Sequence, residues 1–457
     1  MTPLLAPFPA VSPMAPLSPV ARAERITSAL PEGGLFSEKT WRVSPEAFPL
    51  DRSTVRYLEQ LGPLLARFQQ AGETIYRRSR KGSLPGWIAE SLDAGKPPAL
   101  LEQGLAASPN DLPRVIRPDL ILTEQGLIAT ELDSVPGGIG LTAWLGAKYH
   151  QLDPSTPMVG GPQGMIDGFR SLFSEKGADI VISAESGDYR PEMDWLAAQL
   201  RAGRPLAGGG DWQVKSAETY QPDGRDLYRF FELFDLPALP AAAKIAELAA
   251  AGTISLSSPF KPWHEEKQWS ALFWSHPLRE TWRRELRDAN FQRLRQVFPM
   301  SWIIDPAPVP PHAVLPGLDI QHFSELRNFS QSERELVLKL SGFNEKAWGS
   351  RSVTIGQDSS QTEWAAAVDE ALAAHGTSPY VLQRFHGGKL VRHPWWNPTT
   401  GEIEIMEGRV RLCPYYFIGA ADQKITLGGV LATICPADKK ILHGMSDAIL
   451  APCRIEE

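Results

Sequence analysis

The sequence predicts a mixed fold, α/β or α+β, with an α/β N-terminal half and a more antiparallel C-terminal half. Three observations carry that reading. Between residues 177 and 210 an apolar run (GADIVISAES), a helix closed by glycine (RPEMDWLAAQLRAG) and a second strand-like run (RPLAGGG) follow one another, the order of a βαβ unit with parallel pairing. From residue 335 onward strands and turns replace helices: ELVLKLSG, SVTIG, PYVLQRF, EIEIMEGRVRLCPYYFI and LGGVLATI. The length of 457 residues allows two or three structural units with a sizeable core.

The first twenty residues are apolar but studded with proline, without a basic start or an unbroken apolar core. They read as an extended lead-in, and residues 1–40 as a proline-rich extension. In 53–80, Val55, Leu58, Leu61, Leu64, Leu65 and Phe68 recur at helical spacing, and Pro63 is expected to kink or divide that helix. More helix is expected up to about residue 106. SVPGGIGLTAWLGAKYHQL is a glycine-rich turn running into a helix; the turn either binds an anion on its backbone N–H groups or only starts the helix. Near residue 238 the pattern changes. LPALPAAAKIAELAAAG reads as a helix, residues 264–297 as helical and rich in Trp and Arg, and VFPMSWIIDPAPVPP as a strand followed by a proline-rich loop. An N-terminal α/β region is expected over 41–240 and a second region over 241–457.

Composition narrows the function. The net charge is −7 and no basic block stands out, which argues against a nucleic-acid partner. No apolar run approaches the ~20 residues of a membrane span. Cys413, Cys435 and Cys453 are odd in number and widely spaced, without a CxxC, as suits reduced thiols in a cytoplasmic protein. They are given no role, and His443 reads as structural.

The chemistry is concentrated in RPDLILTEQGLIATELD, residues 117–133. With Glu124, Gln125 and Gly126 as the loop of a hairpin, Thr123 faces Leu127, Ile121 faces Ala129, Asp119 faces Glu131 and Arg117 faces Asp133. Alternation then puts all four polar groups on one face, and Leu120, Leu122, Ile128 and Leu132 on the other. Opposed carboxylates repel. Arg117 relieves one of them, and a divalent cation carrying phosphates would relieve the rest. The competing reading is a solvated strand face with ordinary ion pairs. Lys339 lies in an apolar run, VLKL, where a buried ammonium needs an anionic partner. Arg411, near the end of a strand, suits a substrate carboxylate or phosphate as well as a structural ion pair.

RPD, a glutamate twelve residues beyond its Asp, and an acidic residue two further on resemble the metal-binding hairpin of glutathionylspermidine synthetase, a circularly permuted ATP-grasp ligase family. Two further segments follow in order. EEKQWSALFW resembles that family's NKALLPLLW, and LVLKLSGFNEKAWGSRSV resembles its VKKPLFGREGANV. PYVLQRF resembles the strand that hinges the two lobes and receives adenine.

The resemblance implies an α+β, ATP-grasp-like, circularly permuted fold, with an N-terminal α/β unit before the grasp and nucleotide-binding lobes in 241–457. It implies magnesium ligands at Asp119, Glu131 and Asp133, the last standing where the family has Asn. It implies that Arg117 holds an acyl-phosphate, that Lys267 and Lys339 cradle ATP phosphates, and that Gly342 to Gly349 form a closing loop. Backbone groups of Leu382 and Gln383 would read adenine. The amidase domain of the bifunctional members has no counterpart. The implied activity is an ATP- and magnesium-dependent ligase joining a small-molecule carboxylate to an amine. A small-molecule kinase and a non-catalytic nucleotide-binding protein are the alternatives.

Overall fold

The computed structural model describes residues 17–31, 34–35, 40–173, 176–202, 211–347, 352–444 and 446–456. Its strands are, in the first half, β1 (Phe48–Asp51), β2 (Val115–Thr123), β3 (Gly126–Asp133), β4 (Asp179–Ile182), β5 (Gln213–Ser216) and β6 (Leu227–Phe230). Beyond residue 250 come β7 (Leu256–Ser257), β8 (Ser301–Ile303), β9 (Leu336–Leu340), β10 (Val353–Ile355) and β11 (Tyr380–Arg384). The last four are β12 (Leu390–Asn397), β13 (Glu402–Ile418), β14 (Ile425–Pro436) and β15 (Ile449–Glu456).

These strands form three sheets in a mixed α+β architecture. The parallel sheet has the order β5-β4-β6-β7. Helix Arg190–Ala202 connects β4 to its parallel neighbour β5, as the βαβ reading expects. RPLAGGG lies outside the described residues, and the strand that pairs begins at Gln213. A second sheet, β10-β9-β11-β8, is antiparallel throughout. The largest sheet runs β1-β15-β14-β13-β2-β3, with β12 also on β13. Its strands come from both sides of residue 240, so the expected division at that point cuts through one sheet. The cause is β13, which is long enough to pair β12 with one half and β2 with the other.

Alternation along β13 separates two cores. Val410, Leu412 and Tyr416 face one core, with helix Arg52–Arg80 laid across them. Cys413, Tyr415 and Phe417 face the other, with helices Ile139–Leu152 and Gly164–Ser171. The long helix buries Val55, Leu58, Leu61, Leu64, Leu65 and Phe68, the set its spacing predicts. Pro63 does not divide it. Gly62 lets the backbone lie directly on the Tyr416 ring, where a Cβ would collide, and the Tyr416 hydroxyl donates to Leu58 O at 2.7 Å.

Residues 1–16 of the proline-rich extension lie outside the described residues. Within the rest, Pro19–Ser28 is a helix rather than extended chain. Ser18 caps it by accepting from Ala21 N, Pro19 sits at its first turn, and Ala23 and Ile26 anchor it in the second core. Among the described residues no helix is long and apolar enough to cross a membrane.

Candidate active site

The hairpin β2–β3 supplies the floor of a cavity of about 750 Å³. Arg117 faces Asp133 and Asp119 faces Glu131, as the sequence predicts. The turn end differs. Thr123 pairs with Gly126, Leu122 with Leu127, Ile121 with Ile128 and Leu120 with Ala129. The loop is therefore two residues, Glu124 and Gln125, and Gly126 opens β3 at φ 126°. Thr130 is then one residue too many, and the register shifts beside Asp119 to absorb it. The bulge restores the predicted pairing at the carboxylates. The shorter turn also exchanges two residues against the expectation: Ile128, expected in the core, lies on the cavity face, and Ala129, expected on the polar face, lies in the core beside Leu120.

All four polar residues line the cavity. Arg117 spans two carboxylates, Nε to Asp119 Oδ1 at 3.0 Å and an η-nitrogen to Asp133 Oδ2 at 3.0 Å. Its other η-nitrogen donates to Gly137 O at 3.1 Å. Arg411, the residue of β13 beside Ile121, reaches Asp119 Oδ2 at 2.9 Å, and the Cys413 thiol donates to Asp119 Oδ1 at 3.5 Å. Asp119 is only 6% exposed. Burial pushes its pKa up, but Arg117 and Arg411 more than offset this and hold it below the ordinary value. Asp133 goes the other way: burial raises it beyond what Arg117 takes back.

Both proposed phosphate lysines reach this floor. Lys267, just before helix Gln268–Trp274, places Nζ 3.0 Å from Glu131 Oε1 and 2.8 Å from Ala347 O. Lys339 on β9 donates to Thr130 O at 3.0 Å and to Gln383 Oε1 at 2.9 Å. Two ammonium groups from distant parts of the chain therefore meet consecutive residues of β3. The expected anionic partner of Lys339 is not a direct one, since both of its hydrogen-bond partners are neutral oxygens. Burial pulls its pKa down to about 8, with Glu131 opposing.

Gly342 lines the cavity at φ 85°, where a Cβ would collide with the Glu266 carboxylate. Gly349 lies outside the described residues. Leu382 packs in the core of the β8–β11 sheet. Leu382 and Gln383 lie on β11 between β8 and β9, so their backbones sit within the ladder and not at an edge. Of the two, only Gln383 lines the cavity.

As a magnesium site the floor divides. Asp119 has both oxygens engaged by guanidinium and thiol donors. The side chains of Glu131 and Asp133 are 39% and 31% exposed and line the cavity, but Asp133 also has both oxygens engaged, Oδ2 by Arg117 and Oδ1 by Val135 N at 2.9 Å. Among the described residues no three His, Cys, Asp or Glu side chains converge as a protein-only cage. Magnesium is commonly held by one or two carboxylates plus phosphate oxygens, and Glu131, the more exposed of the two, fits that arrangement best, with Asp133 joining only by giving up part of its pairing.

Sequence reasoning missed the opposite wall. Glu232 and Glu265 line the cavity, and Arg229, fully buried, holds Glu265. Burial raises both carboxyl groups above their ordinary range, and their mutual repulsion raises Glu232 further. Glu265 was within reach as the neighbour of Lys267; Glu232 carried no motif. Arg411, Cys413 and Tyr415 line the floor at alternate positions, so the period of β13 would have grouped them. The glycine-rich turn before Ile139–Leu152 is already filled: the Glu192 carboxylate accepts from Gly138 N at 2.7 Å and Leu141 N at 3.1 Å.

No family model and no curated protein matches the sequence. Solved structures do match. A glutathione synthetase-like effector from Globodera pallida, in its apo form, aligns over 96% of this chain and 97% of its own, with TM-score 0.55 and 9% identity. A protein from Methylobacillus flagellatus, provisionally described as a gamma-glutamylcysteine synthetase, aligns over 87% of this chain and 88% of its own, with TM-score 0.35 and 10% identity. The chain thus shares the overall fold of the first of these structures, a mixed α+β architecture.

Proposed function

We propose that the chain is an ATP- and magnesium-dependent carboxylate–amine ligase that works through an acyl-phosphate. One observation carries the reading. Lys267 and Lys339, 72 residues apart in sequence, meet Glu131 and Thr130 on a single strand at the wall of one cavity. Lys339 in particular is a buried ammonium with only neutral direct partners, the environment a nucleotide phosphate would complete.

In this reading Lys267 and Lys339 hold the transferable phosphates. Glu131 and Asp133 would hold magnesium, which when bound draws charge off the phosphate oxygens. Asp119 anchors Arg117 and Arg411 in position. Arg117 keeps donors directed along the floor toward the developing phosphoryl charge. The loop after Gly342 closes the lysine side against water, to which an acyl-phosphate is vulnerable. The permuted order of the lobes rests on the sequence resemblance.

The test is ADP and phosphate release with magnesium-ATP across a panel of amino acids, small peptides and polyamines. Release that requires both a carboxylate and an amine supports the ligase. A stable phosphoproduct formed without amine assigns a kinase, and nucleotide binding without turnover across the panel assigns a non-catalytic protein.

A further inference from the structure

On the cavity floor one polar pair has hydrogen-bonding capacity left over. Arg411 on β13 and Thr433 on β14 are direct register partners, and both line the cavity. Arg411 commits one η-nitrogen to Asp119, but its Nε is buried and has no hydrogen-bond partner. Thr433 is 0% exposed, and its Oγ1 is also buried and unpartnered. Buried donors and hydroxyls are nearly always satisfied in folded proteins, so two orphans side by side call for an oxygen between them.

The surroundings narrow what that oxygen belongs to. Thr433 pairs on its other side with Leu450, and Leu431, Ile441 and Leu442 line the same cavity. A phosphate in such an apolar setting would leave oxygens unmatched, whereas a planar carboxylate needs little more than a guanidinium edge and one hydroxyl. A polyamine would face a guanidinium of its own sign. Phosphate chemistry already has its place at Lys267 and Lys339.

We propose that Arg411 and Thr433 together seat a non-reacting carboxylate of the substrate, so that one of the two molecules joined is an amino acid or a peptide. This rests on the ligase reading for the reaction, while the seat itself rests on the orphaned atoms. Thr433 is then a specificity-determining residue that adds a donor beside the Arg411 guanidinium, and the charge of that guanidinium favours a free carboxylate over an amide or a bare amine.

The experiment is calorimetric binding to the full chain, with ADP and magnesium present, of α-amino acids and dipeptides, their C-terminal amides, and spermidine. At least one acid binds, and its amide binds at least about tenfold more weakly, the scale of one lost charge-assisted hydrogen bond. Thr433→Val lowers affinity for the acid by about tenfold, and Thr433→Ser restores it. Equal binding of acid and amide, binding of spermidine alone, no binding of any acid, or an unchanged acid affinity in Thr433→Val overturns the seat. If Thr433→Val does not fold, the acid–amide comparison on the unaltered chain decides. ADP release by the unaltered chain is scored separately: acid binding without release sinks the ligase and keeps the seat, and release with equal acid and amide binding does the reverse.

Discussion

The Lys339 ammonium donates to the main-chain carbonyl of Thr130 at 3.0 Å, and Thr130 is the residue that the β2–β3 register leaves over. The bulge and the buried lysine thus belong to one device. Lys339→Met is expected to weaken ADP binding by more than about tenfold, the scale of one charge-assisted contact. It is also expected to raise the melting temperature at pH 7, because a buried charge is removed. Between about pH 8 and 10.5 the unfolded chain binds more protons at this site than the folded chain. The site's contribution to stability therefore rises through that window, and the advantage of the variant fades there. A melting difference that stays constant from pH 7 to 10.5 would exclude the lysine charge as its cause.

Asp119→Asn tests the opposite balance. It leaves Arg117 and Arg411 buried with one counter-charge fewer, so a loss of about 3–5 kcal/mol is expected in urea unfolding at pH 7. The folded pKa lies below the ordinary 3.8, so the contribution is present above that value and is lost as pH falls through the folded one. The difference between the two proteins should shrink in that acid range. A near-neutral effect at pH 7 would show that the guanidiniums do not depend on this carboxylate.

Glu131→Gln separates chemistry from folding. Glu131 is 39% exposed, and Lys267 keeps its bond to Ala347 O when the carboxylate charge is removed, so stability should change by less than about 1 kcal/mol. Magnesium-dependent ATP turnover should fall at least about 100-fold, with the magnesium titration moved to higher concentration. Full turnover in a folded Glu131→Gln protein would take this carboxylate out of the mechanism.

Gly342→Ala addresses the backbone that lines the cavity with Lys267 and Lys339. A side chain at φ 85° is strained, and its Cβ would displace Glu266 from the buried contacts it makes with Lys96 and Ser341. A loss of about 1–3 kcal/mol is expected in thermal unfolding. A neutral substitution would mean that the loop relaxes freely.

The polar face of the hairpin was legible because side chains alternate and all three carboxylates and the arginine fall on the same parity. Its core face was only partly legible. Thr130 looks like any other strand residue, and nothing local shows that the turn is shorter and the register slips beside Asp119, which is why Ile128 lands on the cavity side. Lys339 announced itself as a charge within VLKL, and Lys267 through its motif. Thr433 and Glu232 gave no sign, because their role depends on cross-strand and cross-cavity neighbours that no sequence window contains. Strands β12 and β15 were hidden by Pro394 and Pro452, which argue against a strand when read locally. Helix Pro19–Ser28 was hidden for a similar reason, since its leading proline sits where a helix start tolerates it.

Asp119 and Arg411 are 292 residues apart in the chain, with β2 lying directly against β13. On the ribosome, the hairpin emerges long before its neighbour is translated, and its apolar edge has no native strand to pair with in the meantime. Closing so long a loop is slow compared with forming local helices. Interrupted synthesis between residues 133 and 411 would therefore release a fragment with an unfinished sheet and an Asp119 carboxylate that lacks Arg411, a natural target for chaperones and proteases.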